Sequence, residues 1–185
     1  MDFISWDEHI FLYLNNLGNP AWDGFWTFIT NKISWIPLYI IFAFFIFKKF
    51  GAKKLLVTLV LVGLMILFTD QISHYYKDIL VQRLRPCQDE NIIPYMRLVK
   101  EYCGGMYGFF SGHATNNFAV AVYIGLIYRK TKWALPVLLI WAGLIAYSRV
   151  YIGVHYPLDI LSGTLIGVLF GLLFYRFWQI SMRKL

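Results

Sequence analysis

Charge is scarce in this sequence. Only 15% of its 185 residues are Asp, Glu, Lys or Arg, where soluble domains carry about a quarter. Acidic residues are the rarer kind, 10 against 17 basic ones. Two cysteines are too few for a disulfide-stapled miniprotein. No Gly-X-Y period suggests collagen. No Gly-, Ser- or Pro-rich stretch marks a linker, and neither a repeat nor a low-complexity segment is visible. The N-terminus also lacks the basic region that begins a cleavable signal peptide, so insertion is expected to rely on the spans themselves.

Apolar surface, by contrast, is abundant. Hydrophobic residues make up 59% of the chain and aromatics 19%, with a mean hydropathy of +0.57. A chain this short cannot hide so much apolar surface from water. That excludes a soluble globule and a disordered chain, and leaves an all-α polytopic membrane protein in one domain, residues 1–185. The net charge of +7 would suggest nucleic acid in a soluble protein. Here the basic residues sit at the ends of apolar runs, with no basic face, so nucleic acid is not an expected partner.

Five apolar runs approach the length of about 20 residues that a helix needs to cross a bilayer. They are residues 34–50, 55–76, 114–128, 133–147 and 158–178. The third and fourth are short, and their ends are expected to extend into flanking polar residues. Residues 1–33 read as two short amphipathic helices at the membrane interface, broken at Asn19-Pro20. Phe3, Trp6, Ile10, Phe11 and Leu14 share one face of the first, with Asp7 and Glu8 off its centre. The alternative is a sixth, tilted span in this region. The expectation is therefore five to six spans, with a transmembrane core over 34–178.

Lys48, Lys49, Lys53 and Lys54 join the first two runs. Arg129, Lys130 and Lys132 join the third and fourth, and Arg176, Arg183 and Lys184 end the fifth. These segments carry no Asp or Glu and fall on one side, which the positive-inside rule makes the cytoplasm. Residues 77–110 and 148–157 then face outward. In a bacterium this means an inner-membrane protein with its polar loops in the periplasm. Cys87 and Cys103 lie in the long outer loop. An oxidising compartment would permit a disulfide there, closing about 17 residues and worth about 3 kcal/mol. The alternative is two free thiols.

Three polar clusters lie at this outer rim: Lys77 to Pro86, Ser111-Gly112-His113, and Ser148-Arg149 with His155 and Asp159. Lys77, Arg83, Arg85 and Arg149 are cations beside apolar helices, costly without an anion or a wet cavity. Interfacial snorkelling accounts for any one of the first three taken alone. Guanidinium groups match phosphate oxygens, and Ser111-Gly112 would open a helix whose free N–H groups also favour an anion. His155 and Asp159 are four residues apart, so the carboxylate can fix the imidazole tautomer and leave its other nitrogen free to attack. His113, from another span, can give a proton to the leaving oxygen. Together these groups suit phosphoryl transfer through a phosphohistidine.

The motifs resemble those of the type-2 phosphatidic acid phosphatase superfamily, the lipid phosphate phosphatases, whose pattern is K-x6-R-P, P-S-G-H and S-R-x5-H-x3-D. The third motif matches in full from Ser148 to Asp159. In the second, Phe110 stands where the family has Pro. In the first, Arg85-Pro86 matches, but seven residues rather than six separate Lys77 from Arg85, and Asp78 occupies the expected position. A helical bulge would restore Lys77, or Arg83 would serve instead. The resemblance implies His155 as nucleophile, Asp159 as its orienting partner and His113 as general acid, then base. It implies Lys77, Arg85, Ser111, Gly112 and Arg149 as phosphate ligands, with fixed cations in place of a metal or other cofactor.

Other polar groups have open readings. Asp70 shares a helix face with His74 and Lys77. It either supports a motif cation or hydrogen-bonds neighbouring helices. Asn116 and Asn117 are expected on the polar cavity. Gly163, Gly167 and Gly171 favour close helix packing within the bundle over dimerisation; the oligomeric state is open. Trp35, Trp133, Tyr156 and Trp178 read as an aromatic belt. The expected activity is hydrolysis of a lipid phosphomonoester or pyrophosphate: undecaprenyl pyrophosphate, phosphatidylglycerol phosphate or lipid A 1-phosphate. The alternatives are a lipid-to-lipid phosphotransferase with the same site, or a non-catalytic lipid-binding or transport protein.

Overall fold

The structure, a computed structural model, describes residues 3–100 and 102–183. Lys184 lies outside these residues, and so does the side chain of Phe3. Seven helices follow in order: α1 (Phe3–Asn16), α2 (Pro20–Thr30), α3 (Ile36–Phe50), α4 (Ala52–Tyr75), α5 (Gly112–Ile127), α6 (Ala134–Tyr151) and α7 (Pro157–Arg183). No strand occurs among the described residues; Leu84 and Tyr107 form an isolated antiparallel bridge.

Local chemistry sets the boundaries. Asn19 caps α2 by accepting from the Ala21 amide, and Pro20 supplies a pre-set first turn. Gly51, at φ +80°, makes the tight reversal between α3 and α4. Among the described residues, four segments are long and apolar enough to cross a membrane: Lys32–Phe50, Ala52–Val81, Ala134–Tyr151 and Pro157–Arg183. The third apolar run corresponds to α5, which has 16 residues and rises about 24 Å. It is shorter than the other four segments, and its outer end, Gly112 and His113, lines a cavity. It is buried along most of its length, against α7 and α6 above all. The fourth run reaches further than its apolar pattern suggested, and Ser148 and Arg149 lie on the last turn of α6.

Gly163, Gly167 and Gly171 face α5. A β-carbon on Gly167 would run into the Thr115 carbonyl and stand 3.1 Å from the Ala119 amide nitrogen. The stripe therefore serves packing within the bundle.

The N-terminal pair α1 and α2 packs on α6, and α1 also meets α7. Their orientation corrects the amphipathic reading. Trp6, Ile10, Tyr13 and Leu17 are exposed, whereas Asp7, Phe11 and Asn15 are buried. The outward side is thus largely apolar, and Asp7 and Asn15 find partners inside. Asn15 is fully enclosed and donates to carbonyls of Arg97, Val150 and Tyr151. Tyr156 is likewise buried against Phe11 rather than placed in a belt.

Lys49, Arg129, Lys130 and Arg183 come together around one shallow depression where α3, α5 and α7 end. The motif residues lie at the opposite end of the bundle.

Candidate active site

A cavity of about 560 Å³ opens between α3, α4, α5 and α6. Its upper wall carries Lys77, Arg85, His113, Arg149, His155 and Gly112. The three motifs, far apart in sequence, thus share one chamber. Its lower wall is largely apolar and descends past Ile66, Val62 and Val120 to Ile46 and Thr58.

His155 stands in the short link between α6 and α7. Gly153 adopts φ +86° there, a conformation that favours glycine, and turns the chain back toward the cavity. Pro157 opens α7 and places Asp159 in its first turn. The result is a bond of 3.1 Å between His155 Nδ1 and Asp159 Oδ2, which also accepts from the Tyr156 amide at 3.1 Å. A carboxylate can only accept, so Nδ1 carries the hydrogen and Nε2 presents an acceptor lone pair. Arg85 Nη1 lies 3.3 Å from that Nε2. Burial, joined by the charges of Arg85, Arg149 and Lys77, holds His155 well below the ordinary imidazole range.

Arg85 is aimed by its own hydrogen bonds. Its backbone N–H donates to the Met106 carbonyl, and Gly108 N–H donates to the Arg83 carbonyl, flanking the Leu84–Tyr107 bridge. Its Nε donates to the Tyr107 carbonyl at 3.1 Å and Nη1 to that of Val154 at 3.3 Å. Cys87 and Cys103, bonded as a disulfide with Cα atoms 5.9 Å apart, tie the same two segments together. Arg149 Nη1 donates to Thr30 Oγ1 at 2.7 Å.

Ser111 is fully buried at the N-cap of α5, where its Oγ accepts from the Ala114 amide. Its hydroxyl is thus engaged as a cap, while Gly112 and His113 face the cavity. The helix-start N–H groups remain the anion-directed feature of this motif.

The irregular first motif has a structural basis. Residues Tyr76–Val81 form a π-helical turn, in which Gln82 N–H donates to the Lys77 carbonyl five residues back. A π turn absorbs one extra residue within a helix. Lys77 therefore lines the cavity in spite of the lengthened spacing. Arg83 does not take its place: Nη1 lies 2.6 Å from Asp7 Oδ2 and 3.5 Å from Asp159 Oδ1, behind the histidine.

Asp70, His74, Asn116 and Asn117 also line the chamber. Asp70 accepts from Asn116 Nδ2 at 2.8 Å, and Thr69 Oγ1 donates to Asn116 Oδ1 at 2.6 Å. This hydrogen bond ties the intramembrane carboxylate to the neighbouring helix, and its charge also acts on Lys77. Among the described residues no cluster of three or more His, Cys, Asp or Glu could hold a metal.

Three contributors were not evident from sequence. Thr30 gave no signal. Gly108 packs on the dyad: a β-carbon there would stand 2.9 Å from Asp159 Oδ2 and 3.5 Å from His155 Nδ1. Asp7 is the third, and the signal existed, because a carboxylate in an apolar membrane-facing helix needs a buried partner. Burial pushes its carboxyl up, opposed by the Leu158 amide and Arg83.

Known proteins resemble this chain in sequence and in fold. The profile of the PAP2 superfamily matches residues 51–183. The lipid A 4'-phosphatase of Bacteroides thetaiotaomicron is 36% identical over 170 residues, covering 91% of this chain and 75% of that protein. The undecaprenyl-diphosphatase of Sulfolobus acidocaldarius is 30% identical over 167 residues, covering 89% and 74%. In fold, the crystal structure of the transmembrane PAP2 type phosphatidylglycerolphosphate phosphatase from Bacillus subtilis superposes with a TM-score of 0.71 at 24% identity, over 94% of this chain and 84% of that one. Helices long enough to span a bilayer, the family profile and two phosphatase relatives lead to one assignment: the chain belongs to the PAP2 superfamily and is an integral membrane lipid phosphatase.

Proposed function

We propose that the protein hydrolyses a lipid phosphomonoester of the lipid A type through a phosphohistidine at His155. The observation that carries the mechanism is the His155–Asp159 pair, whose Nε2 accepts only a long contact of 3.3 Å from Arg85 Nη1 and lies on a chamber walled by Lys77, Arg85 and Arg149. The relative matched over 91% of the chain, a lipid A 4'-phosphatase, favours the substrate class.

In the first step Nε2 attacks phosphorus, the P–O bond to the lipid breaks, and His113 delivers a proton to the departing alkoxide. In the second, His113 accepts a proton from water as its oxygen attacks the phosphohistidine. The P–N bond breaks, its electron pair returns to Nε2, and inorganic phosphate leaves. Lys77, Arg85, Arg149 and the first N–H groups of α5 hold the equatorial oxygens, where charge is concentrated in the transition state. Fixed cations supply the stabilisation that a metal supplies elsewhere. The apolar lower cavity receives part of the lipid, so the substrate need not leave the bilayer.

The basic end of the bundle faces the cytoplasm under the positive-inside rule, with α5 as a fifth span. The phosphate chamber then opens at the outer, periplasmic leaflet of an inner membrane. A disulfide in the outer loop suits that compartment.

The test is phosphate release by purified protein in detergent from lipid A 4'-phosphate, undecaprenyl diphosphate and phosphatidylglycerol phosphate. The lipid A substrate is expected to give the highest kcat/KM. Preference for the polyprenyl diphosphate would transfer the substrate assignment to the second relative's class. Transfer of phosphate to another lipid, without free phosphate, would overturn hydrolysis.

A further inference from the structure

We propose that Asp7, on the N-terminal interfacial helix, is a positioning residue of the hydrolytic site that acts through Arg83 on the Asp159 carboxylate. The inference rests on His155 as nucleophile, as read above.

Arg83 lies between two carboxylates. Its Nη1 is 2.6 Å from Asp7 Oδ2 and 3.5 Å from Asp159 Oδ1, and its guanidinium lies over the Tyr156 ring at 4.0 Å. Apart from Arg83, neither Asp7 Oδ2 nor Asp159 Oδ1 has a hydrogen-bond partner among the described residues. The side chains are 2% exposed at Asp7, 17% at Arg83 and 0% at Asp159. Removing Arg83 leaves two buried carboxylates with no cation between them, whereas removing the Asp7 charge leaves Arg83 with Asp159 alone. The other oxygen of Asp7 accepts from the Leu158 amide at 2.8 Å, in the first turn of α7 beside Asp159. Asp7 thus fixes both the cation behind Asp159 and the helix start that carries it.

The consequence for chemistry lies in how Asp159 divides its charge. Oδ2 orients His155, and Oδ1 faces Arg83. With Asp7 ionised and nearer, Arg83 is held off Asp159, which keeps its charge for the imidazole as the phosphorus–nitrogen bond forms. Without the Asp7 charge, Arg83 is drawn onto Asp159 and pulls the carboxylate from the ring.

The test is a double-mutant cycle on the full chain in detergent, reading phosphate release from lipid A 4'-phosphate and the melting temperature. Asp7→Asn keeps the acceptor for Leu158 and removes only the charge. It is expected to lower kcat about tenfold, with KM changed by less than about twofold. Arg83→Gln is expected to lose a similar factor. The double variant should fall no more than about twofold below the slower single, because both act through one carboxylate. A purely structural role lowers the melting temperature and leaves the kcat of the folded fraction within about twofold of wild type. Multiplying losses, or Asp7→Asn within about twofold of wild type, would overturn the proposal. His155→Ala, run alongside, separates the two ideas: an inactive variant leaves the nucleophile reading in place whatever Asp7→Asn does, and an active one removes both.

Discussion

Lys77 Nζ lies 3.7 Å from the place a β-carbon would occupy on Gly112, so the lysine of the irregular motif reaches the start of α5. The π turn over Tyr76–Val81 puts it there. Lys77→Met is expected to lose about 10²- to 10³-fold in kcat, the cost of removing one transition-state donor. Deleting Asp78 restores the six-residue spacing and should convert the turn to ordinary helix with phosphate release largely retained. A deletion variant as inactive as Lys77→Met would show that the π turn itself is needed.

Gly108 leaves no room for a larger residue beside the dyad, since its β-carbon would meet Asp159 Oδ2 at 2.9 Å and the Arg85 side chain at 3.3 Å. Gly108→Ala is expected to reduce kcat by about tenfold to a hundredfold, because small displacements of reacting groups are costly. The protein should still purify as a folded species. Wild-type turnover in the alanine variant would mean the loop yields without moving Asp159.

The seam between α5 and α7 joins the helix of His113 to that of Asp159. Gly167→Val should destabilise the bundle by about 1–3 kcal/mol, as overpacking does, read as a lower melting temperature in detergent. Activity should fall with it, because α5 bears His113. An unchanged melting temperature together with a changed oligomeric state would reassign the glycine stripe to dimerisation.

His155 is expected to stay neutral through the range where an ordinary histidine protonates. Its shift is downward, so the uncharged, nucleophilic form persists as pH falls below about 6.5. Nitrogen NMR of histidine-labelled protein, with His155→Ala to assign the signal, reads this directly. A ring titrating at or above the ordinary value would contradict the electrostatic description of the chamber.

Much of this was legible in the sequence, for a physical reason. Lipid-facing helices must be apolar along their length, so hydropathy located α3, α4, α6 and α7 to within a few residues. Phosphoryl chemistry needs side chains of fixed type, so the spacing from Ser148 to Asp159 located the dyad. What escaped depends on packing. No local pattern says that one extra residue after Lys77 becomes a π turn. Asp7 looked peripheral because an interfacial helix was expected to turn its polar side to water, whereas Asp7 and Asn15 turn into the bundle. Arg83 was visible only as a spare cation, since its partners lie 76 residues apart on either side of it, at Asp7 and Asp159.

The central claim is that His155 carries the phosphoryl group. Rapid quenching of turnover with labelled lipid A 4'-phosphate, followed by peptide mapping under alkaline conditions that preserve phosphohistidine, measures it. The account expects label on the peptide containing His155, accumulating further in His113→Ala. Label on any other residue during productive turnover would contradict it.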